Sequence, residues 1–290
     1  MIQLDSMKPQ SFKLLKKHLP KSFKRGCLLI MGMHKTLGQK IKQSYLIYRP
    51  ALAHDYQKMQ KTAYDNYAML SRVEPGNLLE DHVVGSWLLQ NSWEDYGTFL
   101  MKYIPVNSGL IALDFGCGPG RNISKWQNRF NRIDGADISK ENLKNAEVFL
   151  KNQIEESKMP RFFETSGMDC GEINDDTYDF IFSTICLQHI CSHHIRYSIL
   201  MDMYRILKPG GRISLQMGFG TPSPQTVGYF QNNYAAVGTN RTCDTEISTP
   251  DEPLGDLEAI GFINFEYWIR SVGPGDLHPN WIFFTATKPD

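Results

Sequence analysis

The stretch Leu110-Ile-Ala-Leu-Asp-Phe-Gly-Cys-Gly-Pro-Gly-Arg-Asn122 constrains the fold of this chain more than any other. An apolar run of strand type breaks into glycines at alternate positions, Gly116, Gly118 and Gly120, and the residues after them can start a helix. Glycines there open backbone conformations closed to side chains and let a ligand approach the main chain. A helix beginning just past such a turn offers unpaired N–H groups at its N-terminus, which suit a polar or anionic group. Asp114 falls at the carboxyl end of the strand, where open parallel sheets place their ligands.

From residue 109 onward strand and helix signals alternate, the pattern of a parallel sheet with helices on both faces. A helix is expected over 120–130, then a second strand, Arg132–Ile138. Ser139 caps the next helix, which carries Leu143, Ala146, Leu150 and Ile154 on one side. Arg161–Thr165 reads as a short third strand and Tyr178–Ser183, almost wholly apolar, as a central fourth. Ser192 or His193 opens a helix aligned on Ile195, Ile199, Met203 and Ile206, expected to stop at Lys208-Pro-Gly-Gly211. Arg212–Met217 is the fifth strand. A short helix over 254–260 leads to Phe262–Arg270 and Trp281–Thr287, and with no helix between them this last pair is expected to be antiparallel. The fold class expected is therefore α/β. Residues 218–250 break the rhythm, and an interruption of that length in a compact domain is usually functional or mobile.

The first 108 residues read differently. Residues 1–50 carry eleven lysines and arginines against the single Asp5, while the chain as a whole has a net charge of zero. The whole-chain balance argues against a nucleic-acid partner. The basic arm has two readings: a solvated extension of the main domain, or an amphipathic surface for an anionic membrane or an acidic partner. Residues 51–108 look helical. Met59, Ala63, Tyr67 and Leu70 mark one stretch, and Trp93, Tyr96, Leu100 and Ile104 share a face of another. The aromatic residues there are read first as core, but Tyr64 and Asn66 precede the glycine loop in a segment able to fold over its ligand. The division expected is a basic arm over 1–50, a helical cap over 51–108 and an α/β domain over 109–290. Six scattered cysteines without a Cys-x-x-Cys pair, and no apolar run long enough to span a bilayer, point to a reduced, cytoplasmic protein.

Two glycine-loop chemistries compete for the opening stretch. A dinucleotide site wants Gly-x-Gly-x-x-Gly. Here the last glycine of that pattern would fall on Arg121, whose guanidinium does not suit a pyrophosphate turn packed on a strand. A mononucleotide loop fails too, because no Gly-Lys-Ser/Thr follows. The preferred ligand carries a ribose and a polar tail but no pyrophosphate. Asp137, some 20 residues beyond the loop at the end of the second strand, can accept both ribose hydroxyls, with Ile138 beside it against an adenine face. Read alone, Asp137 is equally a helix cap.

Together, Leu113–Gly120, Gly135-Ala-Asp-Ile138, Tyr178–Ser183 and Leu207-Lys-Pro-Gly-Gly211 resemble the class I S-adenosylmethionine-dependent methyltransferases, over about residues 60–290. The resemblance implies a Rossmann-like, seven-stranded, mostly parallel sheet with an antiparallel last strand, and S-adenosyl-L-methionine as cofactor. It implies that Asp114 and the Gly116–Gly120 backbone meet the methionine part and Asp137 the ribose. The adenine-edge contact of the family maps onto Asp169, with Met168 beside it. Arg121 either holds the cofactor carboxylate or lies on the helix surface.

Methyl transfer from a sulfonium needs an aligned nucleophile and, for a hydroxyl, removal of its proton. The titratable group best placed for this is His189, just past the fourth strand, with an imidazole suited to a base at neutral pH. The alternative is that His189 only orders its loop. Gln188 is a candidate contact to cofactor or substrate. His189, Cys191, His193 and His194 also invite a metal reading, disfavoured because they crowd a helix start, and no metal is expected. The 218–250 insert reads as a substrate lid or as plain surface loop. Its Tyr229, Asn233 and Tyr234 are the substrate candidates, with Phe230, Asn232, Asn240 and Arg241 near them, and amides with aromatic rings suit a polar small molecule or a glycan. The expected activity is methylation at oxygen. Methylation at nitrogen, or a non-catalytic cofactor-binding protein, are the alternatives.

Overall fold

The computed structural model describes residues 50–70, 80–81, 85–86, 93–106, 108–235, 244–273 and 276–290. The basic arm, with its membrane reading, lies outside them up to residue 49, as do Asn240 and Arg241. Helix α1 (Pro50–Leu70) is followed by a small antiparallel hairpin, β1 (Glu80–Asp81) and β2 (Gly85–Ser86), and by α2 (Trp93–Phe99). The alternating part then runs β3 (Ile111–Phe115), α3 (Arg121–Trp126), β4 (Arg132–Asp137), α4 (Lys140–Leu150) and β5 (Phe162–Glu164). It continues with β6 (Tyr178–Ser183), α5 (His193–Ile206), β7 (Leu207–Phe219), β8 (Thr226–Gly228) and β9 (Asp244–Ile247). The chain closes with α6 (Asp251–Ile260), β10 (Ile263–Ser271) and β11 (Asn280–Thr287).

Seven strands lie in the order β10-β11-β7-β6-β3-β4-β5. The run from β7 to β5 is parallel, and β11 is antiparallel to both neighbours, β7 and β10. This is the Rossmann-like, mostly parallel sheet with an antiparallel last strand. The order reverses between β3 and β6, because the crossovers from β3 and from β6 leave in opposite directions. A crevice at the carboxyl ends of the strands follows from that reversal.

The sheet separates two apolar layers. Leu113, Ile181, Ile213, Leu215 and Met217 face α5 and α6, with Ile195, Ile199, Met203 and Ile206 buried against them. Ala112, Phe180, Phe182, Ile133 and Phe283 face the other way, against Ile123, Trp126, Tyr96, Leu143 and Leu150. Alternate strand residues point to opposite faces, so an apolar run such as Tyr178–Ser183 feeds both layers at once.

The helix stops just before Lys208-Pro-Gly-Gly211, at Ile206, but the fifth strand begins at Leu207 rather than Arg212, with the Gly210 turn at φ 72° inside it. The interruption over 218–250 is tied into the sheet. β6 ends opposite Leu215 while β7 runs on to Phe219, which leaves one edge of β7 unpaired. β9 fills it, pairing Glu246 with Gly218, and β8 adds to β9, both parallel. Unmet backbone N–H and C=O groups at a sheet edge favour such an addition. Among the described residues no helix is long and apolar enough to cross a membrane.

Candidate functional site

The glycine loop joins β3 to α3 through three left-handed residues, Gly116, Gly118 and Gly120, at φ 73°, 51° and 87°. Gly116 has a second reason to lack a side chain, because a Cβ there would lie 2.3 Å from Cys186 Sγ. From the next strand, Asp137 laces the loop to the following helix. One of its oxygens accepts the Gly118 N–H at 2.9 Å and the other the Ser139 N–H at 2.8 Å. Ser139 caps α4 by accepting the Asn142 N–H at 3.1 Å. The helix cap is thus Ser139 and not Asp137, which holds the Ser139 amide and is also reached by Asn142 Nδ2 at 3.5 Å.

A cavity of about 1100 Å³, counting its open mouth, lies over this loop. The floor is Phe115–Pro119 with Arg121 and Asn122. One wall is Asp137, Ile138 and Asn142 with Thr165 and Gly167, and the opposite wall is Thr184–Cys186 with Ile190. The cover is α1, which contributes Tyr56, Gln60, Tyr64 and Tyr67 from one face.

That helix is turned relative to the expectation. Met59 and Leu70, read as its apolar face, are exposed, whereas Tyr56, Gln60 and Ala68 are buried. The inward face is amphipathic because it covers a polar cavity as well as core. Tyr64 lines the cavity, whereas Asn66 is exposed. Polar contacts fasten α1 across the sheet ends. Gln57 donates to the Ser166 carbonyl at 2.9 Å, Lys61 pairs with Glu164, and Asp65 accepts from Ser139 Oγ at 2.7 Å. On the far side Gln60 donates to the His189 carbonyl at 3.1 Å, and the Cys191 N–H donates to Tyr56 Oη at 2.8 Å.

Asp114 is fully buried beneath the loop, and neither carboxylate oxygen has a protein hydrogen bond. Burial pushes its carboxyl up to about 8 despite the Arg121 guanidinium nearby. A buried carboxylate without a donor is costly; Asp114 lies beneath the lining, next to Phe115, whereas Asp137 is itself part of the lining.

The other sequence candidates divide. Ile138 and Arg121 line the cavity. Met168 and Asp169 do not: Asp169 accepts the N–H groups of Ser166 and Gly171, both at 3.0 Å, and so shapes the turn after β5. From the same turn, Thr165 and Gly167 line the cavity instead. Gln188 is buried outside the cavity, accepting from the Gln216 amide at 3.3 Å. Tyr229 is buried, its hydroxyl on Asp256 at 2.7 Å and its ring against His193, so it packs in the core rather than at the cavity. Asn233 donates its N–H to the Cys191 carbonyl at 2.8 Å. Tyr234 alone of the three touches a lining residue, edge-on to Tyr56 at 6.2 Å.

His189 ends a short 3-10 turn, Leu187–His189, between the lining residues Cys186 and Ile190. Its Nδ1 lies 2.8 Å from Asp244 Oδ1, while Nε2 is buried without a protein partner. The crowded histidines go separate ways, since His193 Nε2 lies 2.8 Å from Asp256. The cavity face of α1 had a readable signal, the spacing of Tyr56, Gln60, Tyr64 and Tyr67. Asp244, 55 residues from His189, had none.

Residues 113–215 match the family model described as a methyltransferase domain. The chain is 28% identical over 226 residues to phosphoethanolamine N-methyltransferase 2 of Caenorhabditis elegans, across 66% of this chain and 50% of that protein. It is 30% identical over 118 residues to malonyl-[acyl-carrier protein] O-methyltransferase of Pectobacterium atrosepticum, across 41% and 42%. The chain thus spans about half the length of these curated relatives or less. In fold it resembles Haemonchus contortus phosphoethanolamine N-methyltransferase 2, solved with phosphomonomethylethanolamine and S-adenosylhomocysteine. The TM-score is 0.57 at 18% identity, over 78% of this chain and 61% of that one.

Proposed function

Because residues 113–215 form an S-adenosylmethionine-dependent methyltransferase domain of class I, we propose that the chain methylates a polar small molecule or a glycan at oxygen. One observation carries the choice of oxygen. His189 presents Nδ1 to Asp244 and leaves a buried Nε2 without a protein partner; the residue is not itself in the lining but lies in chain between the lining residues Cys186 and Ile190. That is the arrangement of a general base, one ring nitrogen held and the other able to take a proton.

The cofactor brings a methyl group on a positively charged sulfur that leaves readily as a thioether. The residues that would hold it are Asp114 at the ammonium, the Gly116–Gly120 backbone and Arg121 at the carboxylate, and Asp137 at the ribose. Ile138, Thr165 and Gly167 would flank the adenine. When bound, the cofactor would supply its methyl group to the acceptor oxygen, and His189 Nε2 would be the group to take the hydroxyl proton. Helix α1 keeps water out and sets the acceptor in line.

The lining also bears on the acceptor. Among the described lining residues the single cation is Arg121, on the cofactor loop. A phosphate ester calls for basic side chains or N–H clusters of its own, so the cavity suits an uncharged polar acceptor better. A second reading, methylation of an amine, is favoured by the rings of Tyr56, Tyr64 and Tyr67, since aromatic faces attract ammonium groups. The named N-methyltransferase relatives support that alternative.

Calorimetry with S-adenosylmethionine tests the cofactor half. Wild type is expected to bind and Asp137→Ala to lose at least about tenfold in affinity, because each lost charged hydrogen bond costs roughly 1.5–3 kcal/mol. The acceptor half is read by incubating cell extract with protein and methyl-labelled cofactor. His189→Gln should slow labelling of a hydroxyl acceptor by about 10²–10⁴-fold. An amine acceptor would be labelled almost as fast as by wild type above the amine's own pKa, which would sink the oxygen reading.

A further inference from the structure

We propose that Asp244, clamped by His278 and Glu246, is a positioning residue for His189: it holds the ring with its proton on Nδ1 and balances the imidazolium that forms when Nε2 takes the acceptor's proton. This rests on the reading of His189 as base.

The four residues form one connected group drawn from three separate parts of the chain. Asp244 Oδ1 lies 2.8 Å from His189 Nδ1, and its other oxygen lies 3.2 Å from His278 Nε2. His278 Nδ1 lies 3.5 Å from Glu246 Oε1, in ion-pair range. Asp244, His278 and Glu246 are almost wholly buried. Buried charges persist only when paired, and this group is paired in an unequal way. Burial works against a proton on His278, but Asp244 and Glu246 lift it to about 9, so it is an imidazolium at neutral pH. Burial also works against the Asp244 carboxylate, yet His189 and His278 hold it down at about 2. Asp244 thus holds the Nδ1 side of the His189 ring and leaves Nε2 as the nitrogen without a protein partner.

The end of β7 is kept bare to admit this group. A Cβ on Gly218 would lie 2.1 Å from His278 Nδ1, and one on Gly220 would lie 2.5 Å from Glu246 Oε1. The loop bearing His189 is tied down independently of the ring. Thr245 Oγ1 donates to the Ile190 carbonyl at 3.0 Å, and the Arg196 guanidinium meets the same carbonyl. Tyr56 and Gln60 of α1 reach the His189 carbonyl. Tyr64 lies close enough to Asp244 to feel its charge, and burial first of all keeps that phenol protonated. Of the groups facing His189 from outside the four, Arg196 is thus the charged one among the described residues.

The test uses the full chain, 15N-labelled at histidine, in long-range proton–nitrogen spectra that read tautomer and titration of each ring, His189→Gln supplying the assignment. Wild-type His189 should be the Nδ1–H tautomer. In Asp244→Asn, whose amide can donate, the ring should switch toward Nε2–H and titrate about one unit or more lower. Affinity for S-adenosylhomocysteine should stay within about twofold of wild type, while methylation of extract acceptors falls roughly 10²–10⁴-fold. Asp244→Glu should recover part of the loss. A folded Asp244→Asn with unchanged tautomer and titration overturns the proposal. Should that variant not fold, His278→Gln is read in the same way: it removes the clamp, and an unmoved His189 titration overturns the proposal there. If His189→Gln labels acceptors at the wild-type rate while Asp244→Asn still switches the tautomer, the base reading fails and the hold of Asp244 on the ring stands.

Discussion

Asp114 is expected to carry a proton at neutral pH in the protein without cofactor, because burial lifts its carboxyl to about 8. An ammonium brought against it favours the carboxylate, so its pKa falls on binding. Between the two values binding must then release a proton, and affinity must rise with pH until about 8 and level off above. Calorimetry with S-adenosylhomocysteine at neutral pH, in buffers of different ionisation heat, should show a release approaching one proton. Asp114→Asn should abolish the release. A buffer-independent heat in the wild type would place the ammonium elsewhere. The Asp137 carboxylate works differently, already fed by the Gly118 and Ser139 amides, which make it part of the scaffold as well as part of the site.

Helix α1 buries Ala53, Tyr56 and Ala68 and is otherwise attached through single polar contacts on two sides: Gln57 to Ser166 and Lys61 to Glu164 on one, Tyr56 and Gln60 to the His189 loop on the other. Each such hydrogen bond is worth roughly 0.5–1.5 kcal/mol, and exposed ion pairs less. An element held this way opens locally far below the cost of global unfolding. A ligand filling the cavity beneath adds contacts to Tyr56, Tyr64 and Tyr67, which should close it. Hydrogen exchange of the amides over residues 53–68 is therefore expected to slow on adding S-adenosylhomocysteine, more than exchange in α4 or α5. Equal protection with and without it would show that α1 is a fixed wall. The neighbouring element β9 does a different job: it completes the edge of β7 and, through Asp244 and Thr245, reaches the loop that carries His189.

Across the whole molecule the group around Asp244 joins β9, the loop after β6 and the segment before β11, so its ionisation bears on global stability. Asp244 sits below its ordinary value, at about 2 against 3.8. Its contribution is present above the ordinary value and is lost as pH falls toward 2. His278 sits above its ordinary value, at about 9 against 6.5. Its contribution is present below 6.5 and is lost as pH rises toward 9. Burial holds His194 down at about 4, so stability also drops as pH falls from 6.5 toward 4. Denaturant midpoints should accordingly decline on both sides of mildly acidic pH. Asp244→Asn should lower the maximum and flatten the limb below pH of about 4, whereas between about 4 and 6.5 the opposite slopes of His194 and of Asp114, raised to about 8, offset one another. A variant whose curve runs parallel to that of wild type would exclude Asp244 as the source of the acid limb.

What was readable from the sequence followed local periodicity and spacing. The apolar run into three alternate glycines defined a strand, a left-handed turn and a helix start, and Asp137 fell where the second strand must end. The buried stripes of α4 and α5 repeat every three or four residues, and the lack of a helix between the last two strands made them antiparallel. The sheet class and the cofactor half of the cavity followed from these, because each depends on residues that are neighbours in sequence or one crossover apart. The residues meeting only across the fold were out of reach. The burial of Tyr229 depends on Asp256, 27 residues further on. The partner of His189 comes from a strand that forms because β6 stops short of β7, a difference in strand length that no single stretch encodes. The glycine loop determined what kind of ligand this protein receives; the tertiary structure decided which side chains gather around the His189 ring, since Asp244, Glu246 and His278 come from distant parts of the chain and are buried together there.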